Sequence, residues 1–312
     1  MFTPTGHPNG ATKMTRIFLL SVLVAAAGLP ACGDAGGAGS CDNATATGYT
    51  TLEHGGVTRE YILYVPDSYT SDTPAPLVIS FHGNGGCATD FTDDLSRTAE
   101  AEGFIVAYPQ GVIRGKGAAE WNPANSATEN INENDVFFAA QLIADISADY
   151  SIDSQRVYAV GYSNGGMMSY GLVCALGDQI AAAGIMSGVM LTATCDTANK
   201  SSIIHFHGTG DSFLPLDGSG DFPSVDSGIT FWVNHNNIDP GSLERTELNG
   251  GDVTREAYSG GDEGSAVVLY TISDGGHVWF GDAIGGVQPN QILWDFLSSY
   301  DVDGLIAGDA AE

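Results

Sequence analysis

The run V-Y-A-V-G-Y-S-N-G-G-M-M-S-Y, Val157 to Tyr170, limits what this chain can fold into more than any other stretch. An apolar, β-branched segment runs into Gly161, and the residues after Ser163 read as a helix. Gly161, Gly165 and Gly166 leave out side chains where so tight a strand-to-helix turn has no room for a Cβ. Such a turn lifts the Ser163 hydroxyl out of the chain and aims the start of a helix at it. That is the placement of a nucleophile, and it predicts acyl-transfer chemistry. With 42 glycines in 312 residues, a bare G-x-S-x-G is a weak signal, and the strand before it and the helix after it supply the weight. The competing interpretation is a glycine-rich helix start that only packs closely.

The rest of the chain alternates in the same way. Thr50–Glu53 and Val57–Val65 read as a β-hairpin around His54-Gly55-Gly56. Leu77–Phe81, Phe104–Tyr108, Ala181–Ser187, Ile203–Phe206 and Ala266–Ile272 are short apolar runs of the buried-strand type. Thr89–Gly103, Asp135–Tyr150, Ser227–Asn237 and Pro289–Tyr300 have helical periodicity. A long loop is expected over Pro109–Asn134 and a second hairpin over Thr246–Tyr258. Strands alternating with helices predict an α/β fold, a mostly parallel central sheet with helices on both faces. One catalytic domain over residues 42–300 is expected. It would follow an export signal at 1–31 and a flexible tether at 32–41, and an acidic tail would occupy 301–312.

In an open parallel sheet, functional groups collect at the carboxyl ends of the strands. Three apolar runs end in polar, glycine-rich segments: His82 to Gly86 (H-G-N-G-G), His207 to Asp211 (H-G-T-G-D) and Ser273 to His277 (S-D-G-G-H). The chain order Ser163, Asp211, His277 is the order of the α/β-hydrolase triad. His277 would take the serine proton, and Asp211 would fix the imidazole tautomer. The backbone N–H groups of Asn164 and Asn84 are the expected oxyanion donors. Asp217 and Asp221 compete with Asp211, and His205, His207 and His235 compete with His277. His205 suits a satisfied core histidine, and His207 and His82 suit the ordering of their own loops. Asn130-x-Asn132-x-Asn134 mimics part of a calcium loop but lacks its glycine and terminal glutamate. Neither a metal nor a cofactor is expected.

H-G-N-G-G, Trp121-Asn122, G-Y-S-N-G-G-M-M-S-Y, H-G-T-G-D and G-G-H-V-W-F-G together resemble the secreted polyhydroxybutyrate depolymerase-like and feruloyl esterases. The likeness spans Tyr61 to Leu297. It implies the triad Ser163, Asp211 and His277, and it matches Trp279 to a tryptophan beside the active-site cleft. Many relatives carry cysteine where Asn84 stands, so their disulfide pairings do not transfer. His82, Trp121, Trp279 and Phe280 are the expected substrate contacts, the three aromatic residues as an apolar wall for an acyl group. The family covers feruloyl esters of plant cell-wall saccharides and polyhydroxybutyrate-type esters, with acetylxylan-type esters as the alternative. The short stretch after the last expected helix favours soluble or oligomeric esters. A serine peptidase on the same fold and a non-catalytic surface-binding lipoprotein are the readings from other classes.

Arg16 followed by the apolar run Ile17–Leu29 is the expected export signal. It ends in L-P-A-C, which resembles a bacterial lipobox with Cys32 as the lipidated residue, the other outcome being ordinary secretion. Cys41, Cys87, Cys174 and Cys195 then remain, an even number suited to disulfides outside the cytoplasm. Cys174–Cys195 is favoured by its spacing, and Cys41–Cys87 follows by default. The formal charge of −28 repels nucleic acid and anionic headgroups and suits a neutral ester substrate. Contact with a membrane is expected only through a lipid on Cys32.

Overall fold

Apolar runs with no polar alternation become strands buried on both faces. The computed structural model describes residues 48–114, 118–123, 134–191, 195, 197–220 and 222–306. In chain order the strands are β1 (Tyr49–His54), β2 (Val57–Tyr64), β3 (Ala75–Phe81), β4 (Ile105–Pro109), β5 (Val112–Arg114), β6 (Ala118–Glu120), β7 (Ile152–Tyr162), β8 (Ala182–Met186), β9 (Ser202–Gly208), β10 (Glu244–Leu248), β11 (Val253–Tyr258), β12 (Val267–Ile272), β13 (Tyr300–Asp301) and β14 (Gly304–Leu305). Ten of them form one sheet in the order β1-β2-β4-β3-β7-β8-β9-β12-β11-β10. The central run from β4 to β12 is parallel throughout. Antiparallel hairpins close both edges.

The helices α1 (Thr92–Glu102), α2 (Asp135–Asp149), α3 (Asn164–Ala175), α4 (Val225–His235) and α5 (Pro289–Ser298) divide between the two faces. Strand residues decide the division by their period of two. Leu77, Ile79, Val157 and Ala159 pack with Phe138, Leu142, Met168, Leu172 and Trp232 from α2, α3 and α4. Val78, Tyr158 and Val160 pack with Leu95, Ala99, Leu293 and Trp294 from α1 and α5. The fold is the expected one, with its core split into two layers by the sheet.

Two details differ from the expectation drawn from the sequence. The expected loop after β4 contains the β5–β6 hairpin, whose strands of three residues each are too short to show an alternating pattern. The last segment is not tail from residue 301: β13 and β14 pair with each other, and Val302 N–H donates to the Gln155 carbonyl at 3.0 Å. Asn134 is the N-cap of α2, accepting from the N–H groups of Val136 and Phe137, while Asn130 and Asn132 lie outside the described residues. The export signal, the tether, Cys32 and Cys41 lie outside them as well.

The described cysteines include the Cys174–Cys195 disulfide, with Cα atoms 5.0 Å apart, joining the last turn of α3 to the segment after β8. Cys87 is also disulfide-bonded.

Candidate active site

The carboxyl ends of β7, β9 and β12 share one edge of the sheet, since these strands run parallel with only β8 among them. Ser163 follows β7 and caps α3 with φ +55° and ψ −117°, a backbone conformation that costs free energy for any residue with a side chain. The turn closes only because two glycines meet within it. A Cβ on Gly161 would lie 2.2 Å from the Gly165 carbonyl, and one on Gly165 would lie 2.1 Å from the Phe81 carbonyl oxygen.

Ser163, His277 and Asp211 form a continuous hydrogen-bonded line. His277 Nε2 lies 2.8 Å from Ser163 Oγ, and His277 Nδ1 lies 2.7 Å from Asp211 Oδ2. A carboxylate only accepts, so Nδ1 carries the proton and Nε2 presents its lone pair to the serine hydroxyl. The other oxygen, Asp211 Oδ1, accepts the backbone N–H groups of Phe213 and Leu214, both at 2.9 Å. The Asp211 side chain is fully buried, and that of His277 is 13% exposed. The competing aspartate Asp217 is exposed, and Asp221 lies outside the described residues.

The loop bearing His277 is fastened from two strand ends. Tyr162 donates its hydroxyl to the His277 carbonyl at 2.7 Å, and Ser187 donates to the Val278 carbonyl at 2.9 Å. Burial, helped by the Asp211 charge, pushes the Tyr162 hydroxyl up to about 12, so it remains a protonated donor at neutral pH.

Asn164 is the first residue of α3, so its backbone N–H has no intrahelical acceptor and points from the positive end of the helix. The loop after β3 passes beside Ser163, whose Cβ would lie 3.4 Å from a Cβ on Gly83. In that loop Gly85 N–H donates to Ala119 and Gly86 N–H to Gly83. The N–H groups of Gly83 and Asn84 make no such bond among the described residues, and the Asn84 side chain turns away to Glu120.

Three of the four expected substrate contacts are buried. His82 is 3% exposed. Its Nδ1 donates to the Gly83 carbonyl and its Nε2 accepts the Gly111 N–H, so both ring nitrogens are engaged in ordering the loop. Burial lowers its pKa below the ordinary histidine value. Trp121 is 3% exposed and donates its indole N–H to the His82 carbonyl. Phe280, 7% exposed, belongs to the core layer that contains α1 and α5. Trp279 alone is half-buried at the rim, with its indole N–H donating to Asn290.

The aromatic surface at the site joins Trp279 and Tyr162 to Phe91 and Phe213, two residues the motifs did not single out. Trp279 stacks on Phe91 at 4.8 Å, Phe91 meets Tyr162 at 5.3 Å, and Tyr162 lies 5.1 Å from the His277 ring. On the other side, Phe213 stands 5.3 Å from the His277 ring and is 70% exposed. Its place two residues after Asp211 was the available signal. Below it, His205 and His207 are fully buried, the first as the satisfied core histidine expected. His235 lies away from the triad, bonded to the Asn199 carbonyl.

Trp121-Asn122 serves as an anchor. Arg59 and Asp135 form a buried ion pair at 3.0 Å, and the second Asp135 oxygen accepts the Asn122 N–H at 2.7 Å. Removing either partner of such a pair strands the other charge in the core, which costs about 3–5 kcal/mol. Among the described residues no cluster of His, Cys, Asp or Glu could hold a metal ion.

Residues 59–241 match the family described as Esterase PHB depolymerase. The chain is 28% identical over 248 residues to feruloyl esterase C of Emericella nidulans, covering 77% of this chain and 83% of that protein. It is 26% identical over 291 residues to the probable feruloyl esterase C of Aspergillus niger, covering 91% and 99%. Among solved structures it resembles the acetyl xylan esterase from Aspergillus awamori, with a TM-score of 0.61 and 16% identity over 80% of this chain and 98% of that one, a likeness of fold.

Proposed function

Because this chain belongs to the Esterase PHB depolymerase family and is a carboxylic ester hydrolase, we propose that Ser163, His277 and Asp211 are its catalytic triad and that it cleaves hydroxycinnamoyl esters of saccharides through an acyl-enzyme. The observation that carries this reading is the unbroken line from Asp211 Oδ2 through His277 to Ser163 Oγ, at 2.7 and 2.8 Å.

His277 Nε2 takes the serine proton as Oγ bonds to the ester carbonyl carbon, and the carbonyl π pair moves onto oxygen. The backbone N–H of Asn164, with that of Asn84 or its neighbour Gly83, receives the oxyanion. Collapse of the tetrahedral species breaks the bond to the alcohol oxygen, which leaves with the proton held on Nε2. Water then repeats the sequence: it gives its proton to His277 and its oxygen to the acyl carbon, and Ser163 departs reprotonated. Asp211 stabilises the imidazolium at each stage and keeps its own charge.

The aromatic row Trp279–Phe91–Tyr162 and the exposed Phe213 ring support an aromatic acyl group rather than a bare acetyl. The feruloyl esterase names of the relatives point the same way. The Cys174–Cys195 disulfide supports export, since disulfides persist in oxidising compartments. Methyl ferulate, p-nitrophenyl acetate and a hydroxybutyrate oligoester, assayed side by side, test the substrate class. The highest kcat/KM is expected for methyl ferulate. Turnover of the acetate or the hydroxybutyrate with none of the ferulate overturns the assignment.

A further inference from the structure

A line of buried polar groups runs away from the triad on the core side of Asp211. His207 Nε2 lies 2.8 Å from the Leu214 carbonyl oxygen and 3.4 Å from Asp211 Oδ2. His207 Nδ1 lies 3.1 Å from His205 Nε2, and His205 Nδ1 lies 2.8 Å from the Tyr170 hydroxyl. The two histidine side chains are fully buried and Tyr170 is 2% exposed. Three apolar residues could fill the same space without the cost of desolvating polar groups.

The direction of every bond in this line follows from its last member. A carbonyl oxygen only accepts, so His207 Nε2 carries the proton. The ring is neutral, because burial lowers its pKa, so its Nδ1 is a lone pair that needs a donor. His205 Nε2–H supplies it. His205 is also neutral, its pKa pushed well down by burial first and by His207 second, so its Nδ1 accepts the Tyr170 O–H. Were either histidine to change tautomer, two lone pairs would meet at 3.1 Å, or a lone pair would face Leu214 and Asp211.

We propose that His207 is a positioning residue for the triad, locked by the Tyr170–His205 chain so that its Nε2–H pins the Leu214 carbonyl and faces Asp211. The turn from Asp211 to Leu214 is then held at both ends. Its N–H groups grip Asp211 Oδ1, and its carbonyl is gripped by His207. Fixing the carboxylate fixes the His277 ring in line with Ser163. The chain acts on the orientation of the general base and not on substrate binding, so its loss is read in kcat.

The proposal rests on the triad assigned above, and the test separates the two. Ester hydrolysis and the rate of fluorophosphonate labelling are measured for the full-length wild-type protein and for Ser163→Ala, His207→Phe, His207→Gln and Tyr170→Phe, with folding followed by circular dichroism. His207→Phe is expected to lower kcat about tenfold to a hundredfold at unchanged KM. His207→Gln keeps an N–H at the Nε2 position and is expected to recover most of that loss. Tyr170→Phe removes one oxygen and is expected to lower kcat about 2- to 10-fold, the worth of one hydrogen bond. A folded His207→Phe protein with wild-type kcat overturns the proposal, as does His207→Gln no faster than His207→Phe. Should His207→Phe not fold, Tyr170→Phe decides: a kcat equal to wild type overturns the proposal and the expected fall supports it. Hydrolysis that survives Ser163→Ala overturns the triad, and this proposal with it.

Discussion

The side-chain amide of Asn164 pairs with the backbone of Trp121 as one strand pairs with another: its Oδ1 accepts the Trp121 N–H at 2.7 Å and its Nδ2 donates to the Trp121 carbonyl at 3.0 Å. The residue after Ser163 is thereby tied to the segment that the buried Arg59–Asp135 pair secures through Asn122. Asn164→Ala keeps the proposed oxyanion N–H and removes only this tie. We expect kcat to fall about tenfold, because small displacements at a reacting centre are costly. Steady-state kinetics on a soluble ester check this, and an unchanged kcat would show that the tie does not orient the site.

Phe213 is 70% exposed, with its ring 5.3 Å from that of His277. Phe213→Ala removes a ring contact worth about 0.5–1.5 kcal/mol, so KM for methyl ferulate should rise about 2- to 10-fold, with little change for p-nitrophenyl acetate. Equal effects on both esters would place Phe213 outside the acyl or alcohol contacts.

The Cys174–Cys195 bridge closes a segment of 21 residues, which corresponds to about 3 kcal/mol in the chain-entropy account. It sits at the far end of α3 from Ser163, about 16 Å along the helix axis. The Cys174→Ser/Cys195→Ser double variant should lose several degrees of Tm and keep its kcat. Thermal denaturation and initial rates on one preparation separate the two effects.

Burial depresses the pKa values of His82, His205 and His207, and this fixes the sign of a pH effect on stability. Below about pH 6.5 the unfolded chain binds more protons at these positions than the folded chain does. Stability therefore falls as pH drops from about 6.5 to 5, and unfolding takes up protons in that window. Denaturant titrations at several pH values test this, and a stability that rises toward pH 5 would contradict it.

The convergence of Ser163, His277 and Asp211 was legible because apolar runs mark strand ends well, and in a parallel sheet those ends share one edge. Asp217 and the other histidines competed for the same places until the hydrogen-bonded line separated them. The aromatic surface beside Ser163 did not follow, because composition does not say whether an aromatic ring faces inward. Trp121 and Phe280 are drawn into the core by the packing available there, and Phe213 is left outside it. The β5–β6 hairpin was not legible because each of its strands is only three residues long, too short for a period of two to show. The polar chain behind Asp211 was half visible. His205 read as a core histidine, but its partner Tyr170 is 35 residues away in sequence, and only the sheet brings them together.

The account depends most on Ser163 as the nucleophile. Fluorophosphonate labelling with mass-spectrometric mapping, run beside ester hydrolysis on wild type and Ser163→Ala, tests it directly. Labelling of the wild-type chain at Ser163 is predicted, with a Ser163→Ala protein of unchanged circular dichroism that neither labels nor hydrolyses above about 10⁻⁴ of the wild-type rate. Label found on another residue, or hydrolysis retained by Ser163→Ala, would contradict it.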